Sequence, residues 1–236
     1  MQIRNTIVMA LMSLLLLGTV VLAEQGTELK PTLAERGSVV LEESFSSGEL
    51  GKSYVANKGD WQIKDEVPVG REKKEDMHAA VLTLQQPHRN SAIRFSFRLD
   101  GATGFNLSFN HAKGHLFRIA VSESDLTLTK DADKKDPNSK PKALAKASGK
   151  FDSGQWHTLL VETQGDKVSV QSDAGAKLDV QEPTLDVEKT GFRFVMRGES
   201  LLYIGMSRAS ASLQLLVSPG FGAFLKVLIR QSFERK

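Results

Sequence analysis

Hydrophobic and polar residues alternate with a period of two along most of the chain after residue 38. The stretch from Ser91 to Leu99 shows this most clearly, because every second side chain is apolar. The apolar set is Ile93, Phe95, Phe97 and Leu99, and the polar set between them is Arg94, Ser96 and Arg98. Similar alternation recurs at 105–110, 117–121, 126–129, 156–163, 167–172 and 190–197. Successive side chains of a β-strand point to opposite faces, so the pattern predicts short strands with one buried and one solvated face.

The segments between these strands are rich in Gly, Asp and Asn, which favour tight turns. Residues 130–150 interrupt the alternation with Lys, Asp and two prolines, which predicts a solvated loop with room for a helical turn near 143–147. Together these features predict an all-β fold, a two-sheet antiparallel jelly-roll sandwich over residues 39–206. The aromatic residues predicted in or near its core are Phe95, Phe97, Phe109, Phe117, Trp156, Phe192 and Phe194.

The first 23 residues have the three parts of a signal peptide. Arg4 supplies the positive start, residues 6–17 carry no charge, and Val21-Leu22-Ala23 resembles a cleavage site. An uncleaved anchor helix is the alternative, since the uncharged stretch is just long enough to span a bilayer, but the cleavage-type ending favours removal. We therefore expect export to the periplasm or the extracellular space, and no stable membrane span after removal. Residues 24–38 are expected to form a loose leader or a short helix.

Composition removes several classes of function. The chain contains no cysteine, which excludes disulfides, thiolate catalysis and zinc sites that use cysteine. The formal net charge of +3 comes from Arg4 and from residues 201–236, while the body between them is nearly neutral and mixed in sign. Because no basic face for nucleic acid is evident, we expect no nucleic-acid partner.

The last thirty residues, 207–236, differ from the body in being basic and apolar, with Pro219 and Gly220 interrupting them. One interpretation is a basic amphipathic helix that contacts a membrane or a partner. The other is a change of reading frame, which leaves residues that were never selected to fold. Under either interpretation residues 207–236 are expected to stay outside the sandwich, with Tyr203 to Met206 supplying a truncated closing strand.

Two strand motifs resemble those of concanavalin A-like, or laminin G-like, sandwiches. Residues 153–170 read SGQWHTLLVETQGDKVSV, similar to a W-H-x-hydrophobic strand that turns through Gly-Asp into a V-x-V strand. Residues 59–65 read GDWQIKD, similar to the opening of the same domains. With these motifs, residues 39–202 resemble bacterial secreted domains of the 3-keto-disaccharide hydrolase-like type found in Planctomycetes. The resemblance implies a jelly-roll sandwich acting on or binding carbohydrate, although none of its motifs is a catalytic signature.

Glycosidases of this fold class need two carboxylates beside the scissile bond. The nearest match to an E-x-D-x-x-E strand is Glu123-Ser124-Asp125, but Leu128 stands where the last acid is needed. Asp60 and Asp65, on either side of Trp61, are the remaining weak catalytic candidates. Acids in turns are commonly solvated, and we favour that interpretation. Trp61 itself is expected to pack at the core or its edge, with a sugar-stacking platform as the alternative.

The sequence predicts neither a metal site nor a cofactor. Asp131, Asp133 and Asp136 lack the spacing and the glycine of a calcium loop, and lysines stand between them. His111 and His115 flank a Lys-Gly turn rather than sharing a helix face. Calcium binding stays possible, but no set of residues in the sequence supports it.

The polar face of the predicted strands carries more arginine and asparagine than solubility requires. We predict that these residues bind a polysaccharide or oligosaccharide, because arginine and asparagine offer forked donors and acceptors for hydroxyls and uronate carboxylates. The predicted glycan-binding set is Arg94, Arg98, Asn106, Asn110, Arg118, Arg193 and Arg197. An ordinary solvated sheet face is the plain alternative. The sequence thus favours a secreted, non-catalytic glycan-binding or accessory sandwich, with a glycoside hydrolase or lyase of the 3-keto-disaccharide hydrolase type as the alternative.

Overall fold

A computed structural model describes residues 29–34, 38–196, 198 and 200–205, together with the backbone of 213–217. It confirms the predicted fold class, two antiparallel sheets packed as a sandwich. In the described segments the only helical elements are two short 3-10 turns, Lys74–Asp76 and Pro183–Leu185, and no helix there is long and apolar enough to cross a membrane. The predicted signal peptide lies outside the described residues and stays a prediction.

Among the described residues, sixteen strands build the two sheets. In chain order they are β1 (Ser38–Glu43), β2 (Tyr54–Lys58), β3 (Asp60–Lys64), β4 (Val67–Arg71), β5 (Ala80–Leu84), β6 (Ser91–Asp100), β7 (Gly104–His111), β8 (Gly114–Ser122), β9 (Asp125–Lys130), β10 (Lys142–Ser148), β11 (Trp156–Gln164), β12 (Lys167–Ser172), β13 (Lys177–Gln181), β14 (Gly191–Met196), β15 (Leu201–Gly205) and β16 (Leu213–Val217). The nine-stranded sheet runs β13-β12-β11-β6-β15-β4-β3, with β16 pairing both β6 and β1. The seven-stranded sheet runs β10-β9-β8-β7-β14-β5-β2.

The core lies between the sheets and is built from the inward positions of the alternating strands. Phe109 and Phe117 stack with ring centroids 4.4 Å apart, and Phe95 meets Phe194 across the sandwich at 5.1 Å. Six of the seven aromatic residues predicted for the core are fully buried. Aromatic pairs of this kind add to the burial of apolar area that stabilises the fold.

Trp156 is the exception, and its predicted place in the core is wrong. On β11 the inward side chains are Leu159 and Val161, so alternation turns Trp156 to the outer face of the nine-stranded sheet. Trp61, by contrast, packs against the core as expected, and its indole Nε1 donates to the carbonyl of Lys58 at 3.0 Å.

Residues 142–148 form a strand, β10, rather than the predicted loop or helical turn. This strand pairs with β9 along its length, with one irregularity in register between Ala143 and Ala145. Leu144, Ala145 and Ala147 pack against the edge of the core. Alanine and lysine have little intrinsic preference for strands, so the pairing with β9 decides the conformation here.

The C-terminal segment also departs from the prediction. β15 supplies the expected closing strand beside β6 and β4. Leu213–Val217 then forms a further strand, which pairs with residues 91–94 of β6 and with β1. The prediction that residues 207–236 stay outside the sandwich is therefore wrong for 213–217, and residues 218–236 lie outside the described part of the chain.

Residues 29–34, predicted as part of a loose leader, are held on the outer face of the nine-stranded sheet. We call them the strap. The carboxylate of the buried Glu162 accepts the backbone N–H groups of Thr32, Leu33 and Ala34 at 2.8, 3.0 and 2.9 Å. Leu29 packs on the outward-facing Ala92 and Leu160. The strap thus covers one end of this outer face and leaves the other end, around Trp156, uncovered by it.

Candidate functional site

The predicted glycan-binding residues do not share one surface. Arg94 and Arg98 lie on β6 in the nine-stranded sheet, whereas β7, β8 and β14 belong to the seven-stranded sheet. Of the predicted set, the members on the outer face of the seven-stranded sheet are Asn106, Asn110, Arg118 and Arg193. The chain crosses from one sheet to the other between β6 and β7, so equal alternation on the two strands points their polar side chains to opposite faces of the molecule. The prediction of a single face is wrong, and Arg197 lies outside the described residues.

A row of polar side chains crosses the outer face of the seven-stranded sheet. Because Phe192 and Phe194 point into the core, Arg193 between them points outward. Cross-strand pairing sets the row as Thr83, Arg193, Ser108, Arg118 and Thr129, on β5, β14, β7, β8 and β9. Neighbouring strands are about 4.8 Å apart, so the row spans about 19 Å.

Arg193, next to the middle of this row, contacts His115, which lies on β8 outside the row. The Arg193 guanidinium donates through Nη2 to Nδ1 of His115, and Asn110 Oδ1 lies 3.2 Å from the same ring nitrogen. Burial lowers the pKa of His115, and the neighbouring Arg193 lowers it further. The imidazole is therefore neutral near neutral pH, which allows its Nδ1 to accept the hydrogen bond. Burial also lowers the pKa of Arg193, whose Nε has no hydrogen-bond partner among the described atoms.

Arg118, a member of the row, forms an ion pair with Asp131, which directly follows the end of β9. The side chain of Asp131 is only 8% exposed, and its backbone N–H donates to the carbonyl of Leu116 at 2.9 Å. Asp131 is also the carboxylate that acts on Arg193 through its charge. Arg193 has no ion pair of its own among the described residues, so the two guanidinium groups outnumber the one carboxylate near them and leave an excess of positive charge. We call Arg118, Arg193, His115, Asn110 and Asp131 the Arg193 site.

The chemistry of the Arg193 site suits recognition of an anion or of several hydroxyls. Two guanidinium forks can bind a carboxylate or sulfate through paired hydrogen bonds, and the asparagine and serine side chains add neutral donors and acceptors. A glycosidase needs two free carboxylates, whereas the one carboxylate that the structure shows in this cluster, Asp131, is bound to Arg118. The described residues also contain no group of three or more His, Asp or Glu that could hold a metal ion.

Asp60 and Asp65 do not form a catalytic pair, because Asp60 is the first residue of β3 and Asp65 follows its last residue. Asp60 accepts from Arg71 Nε and Nη2 at 3.3 and 3.2 Å. Burial acts to raise the pKa of Asp60, but hydrogen bonds from Gln62 and Arg71 outweigh it and lower the pKa below its ordinary value. Asp65 occupies the β3–β4 turn with φ 50°, followed by Glu66 with φ 62°. Both acids therefore have the structural surroundings of ion-pair and turn residues.

Sequence reasoning did not assign His115 or Asp131 to a site. Asp131 continues the outward series Thr127, Thr129 beyond the end of β9, and this extension of the alternation could have placed it beside Arg118. No comparable signal marks His115, because its contact with Arg193 joins residues 78 positions apart.

Solved structures similar to this fold include several carbohydrate-related proteins. The carbohydrate-binding module CBM66 from Bacillus subtilis has a TM-score of 0.53 and 12% identity, with 70% of this chain and 95% of that chain covered. SCLam, a non-specific endo-beta-1,3(4)-glucanase from family GH16, has a TM-score of 0.55 and 10% identity, covering 79% of this chain and 93% of that one. A Crh5 transglycosylase in complex with NAG has a TM-score of 0.55 and 7% identity, covering 76% and 84%. At these identities the likeness shows the fold alone.

Sequence comparisons identify the family. No curated protein sequence matches the chain. The laminin G domain profile matches residues 97–228, which is more than half of the chain, so the family likeness does not end at Leu202 as the sequence motifs suggested. The strand order, the two-sheet packing and this match agree, and the chain therefore belongs to the laminin G domain family.

Proposed function

We propose that this protein is an exported, non-catalytic glycan-binding module whose Arg193 site binds an acidic polysaccharide. The observation that carries the proposal is the position of Arg193, two strands from the Arg118–Asp131 ion pair and without an ion pair of its own among the described residues. Such a site has forked donors to spare for uronate or sulfate groups of a ligand. The signal-peptide pattern of the first 23 residues supports export. The structural likeness to a carbohydrate-binding module supports the class of ligand.

A catalytic alternative has one specific observation in its favour. His115 is held neutral beside Arg193, and a uronate carboxylate that drew Arg193 Nη2 away would free the Nδ1 lone pair of His115. That nitrogen could then take the proton next to the carboxylate as the 4-linked sugar leaves, which is a β-elimination. This chemistry is that of a lyase. The resemblance of residues 39–202 to 3-keto-disaccharide hydrolase-like domains suggests a hydrolase as the other catalytic possibility. The absence of a free carboxylate pair among the described residues of the site favours binding without hydrolysis.

Binding and turnover should be measured together. The purified protein is titrated with polygalacturonate, heparin and neutral laminarin, and each mixture is assayed for released sugar and for unsaturated uronate. We expect binding to the two acidic polymers that weakens as salt rises, and no release. Arg193→Gln should weaken the binding about tenfold or more, since a hydrogen bond to a charged group contributes about 1.5–3 kcal/mol.

A matched arginine is available as the control. Arg89 is exposed and pairs with Asp186 at the rim of the sandwich, away from the Arg193 site. Arg89→Gln should leave the affinity unchanged. Equal affinities for Arg193→Gln and Arg89→Gln, in folded proteins, would refute the Arg193 site. If the protein releases unsaturated uronate and His115→Asn abolishes this release, the protein is a lyase and the non-catalytic proposal is wrong.

A further inference from the structure

The outer face of the nine-stranded sheet carries an arginine held between two aromatic rings. Trp156, Arg98 and Tyr203 are direct cross-strand neighbours on β11, β6 and β15. The Arg98 Cζ lies 3.9 Å from the centre of the Tyr203 ring and 5.4 Å from that of Trp156. The two rings are 6.4 Å apart with an angle of 74° between their planes. The three side chains are half-buried, so part of each remains open to solvent.

The charge of Arg98 has no carboxylate partner in the part of the chain that the structure describes. The rings hold the guanidinium through cation–π contacts, which fix its position without using its N–H donors. Its Nε is buried and has no hydrogen-bond partner among the described atoms. A pre-positioned guanidinium of this kind is suited to a carboxylate or sulfate, and the ring edges beside it are suited to the C–H faces of a sugar.

The same row continues across two more strands into a shallow pocket. Val69 on β4 pairs with Tyr203, and Gln62 on β3 pairs with Val69. The pocket is lined by Asp60, Gln62, Lys64, Val69, Arg71 and Leu201. With strands about 4.8 Å apart, the row from Trp156 to Gln62 is about 19 Å long, enough for several sugar units. Because Asp60 is bound to Arg71, its charge does not oppose an anion at Arg98.

We infer that Arg98, Trp156 and Tyr203 form a second binding site for an acidic polysaccharide, so that one domain holds two polysaccharide chains on opposite faces. The two-chain part of this inference rests on the proposed function of the Arg193 site, whereas the second site stands on its own geometry. The packed sheets are about 10 Å apart, and the core fills the space between them. A polysaccharide lying along one outer face therefore does not reach the other, and the domain would cross-link its ligand.

Tryptophan fluorescence tests the second site separately from the first. The chain has two tryptophans, and Trp61→Phe leaves Trp156 as the reporter beside Arg98. In this background an oligogalacturonate should change the emission of Trp156, and a cello-oligosaccharide of equal length should not. Arg98→Gln should abolish the change, whereas Arg193→Gln should leave it intact. Tyr203→Leu provides a second variant, expected to weaken the response, should Arg98→Gln not fold.

Calorimetry of the full chain then counts the sites. We expect two oligogalacturonates per protein, and one after either Arg98→Gln or Arg193→Gln. Light scattering with long polygalacturonate should rise for the unchanged protein and for neither variant. A fluorescence response that persists in Arg98→Gln, or one that never occurs, overturns the second site. A stoichiometry of one for the unchanged protein, which Arg193→Gln leaves at one while the Trp156 response stays intact, refutes the proposed function of the Arg193 site and leaves the second site standing.

Discussion

Lys189 makes the stability of the sandwich depend on pH in an unusual direction. Its side chain is fully buried, and its Nζ donates to the backbone carbonyls of Arg89 and Leu185 at 2.9 and 3.1 Å. Burial lowers the pKa of Lys189 from 10.5 to about 8, although the nearby Asp186 acts to raise it. Relative to its neutral form, the protonated form of Lys189 is thus disfavoured in the folded protein compared with the unfolded chain.

The sign and size of the effect follow from proton linkage. Between pH 8 and 10.5 the unfolded chain keeps the Lys189 proton that the folded protein has lost, so the free energy of unfolding rises with pH in this window. Below pH 8 both states are protonated and the cost of burying the charge is fully present. Each unit of pKa is worth about 1.4 kcal/mol, so the Lys189 contribution to the rise totals about 3 kcal/mol.

Chemical denaturation across this pH window measures the contribution, with Lys189→Met as the reference. Methionine has no proton to lose, and the two carbonyls left unpaired in the variant add an offset of about 1–3 kcal/mol each that does not vary with pH. We expect the difference in unfolding free energy, unchanged protein minus variant, to rise by about 3 kcal/mol over the window. A difference that stays constant, or that falls as pH rises, would refute the argument.

Three further predictions concern the strap, the Arg193 site and a strand of the seven-stranded sheet. Glu162→Gln should remove hydrogen-exchange protection from the amides of residues 32–34, because the carboxylate accepts all three of these N–H groups. It should also lower the unfolding free energy by about 2 kcal/mol. Unchanged protection would contradict the role of Glu162. A bound acidic ligand should raise the pKa of His115, which burial and Arg193 hold below its ordinary value, so affinity should increase as pH falls into the range where His115 gains a proton. A proton NMR titration with and without oligogalacturonate measures this pKa, and an unchanged pKa would place the anion elsewhere. Gly191→Ala should lower the unfolding free energy by about 2–4 kcal/mol, because φ is 145° and an added Cβ would clash with the backbone carbonyl oxygen of Leu84 on β5. The control for the glycine change is Gly154→Ala, where φ is 79° and nothing lies within 4 Å, so urea denaturation should show a loss of only about 1 kcal/mol; equal losses would contradict the steric argument.

The alternation of residues was enough to predict which side of β6, β7, β8 and β14 faces the core. It correctly buried Phe95 and Phe97 on β6 and Phe109 on β7. It could not assign strands to sheets, because inward and outward are defined only relative to the core that the two sheets share. For this reason Arg98 and Arg193 were predicted on one surface, although they lie on opposite faces.

The remaining errors have the same physical origin, because they concern contacts between segments distant along the chain. β10 is a strand because of its pairing with β9 and its contact with the core, not because of the intrinsic preferences of its residues. The strap is held by Glu162, which alternation marks only as an outward-facing acid. His115 was recognised as a polar residue near a turn, and its role depends on Arg193 from a strand much later in the sequence.

The pairing of β6 has a consequence for how the protein folds. β6 forms the middle of the nine-stranded sheet, yet its partners β11, β15 and β16 all follow it in the chain. Ser91 can pair with Val217 only after the 125 residues between them have been synthesised. Until those segments have been synthesised, a strand that carries four fully buried apolar side chains in the folded protein has both edges unpaired. Closure of such long loops costs entropy before the pairing returns any stability, so slow folding is expected. A chain interrupted before residue 213 would retain an open edge along one end of β6, where a second copy could add a strand and begin aggregation.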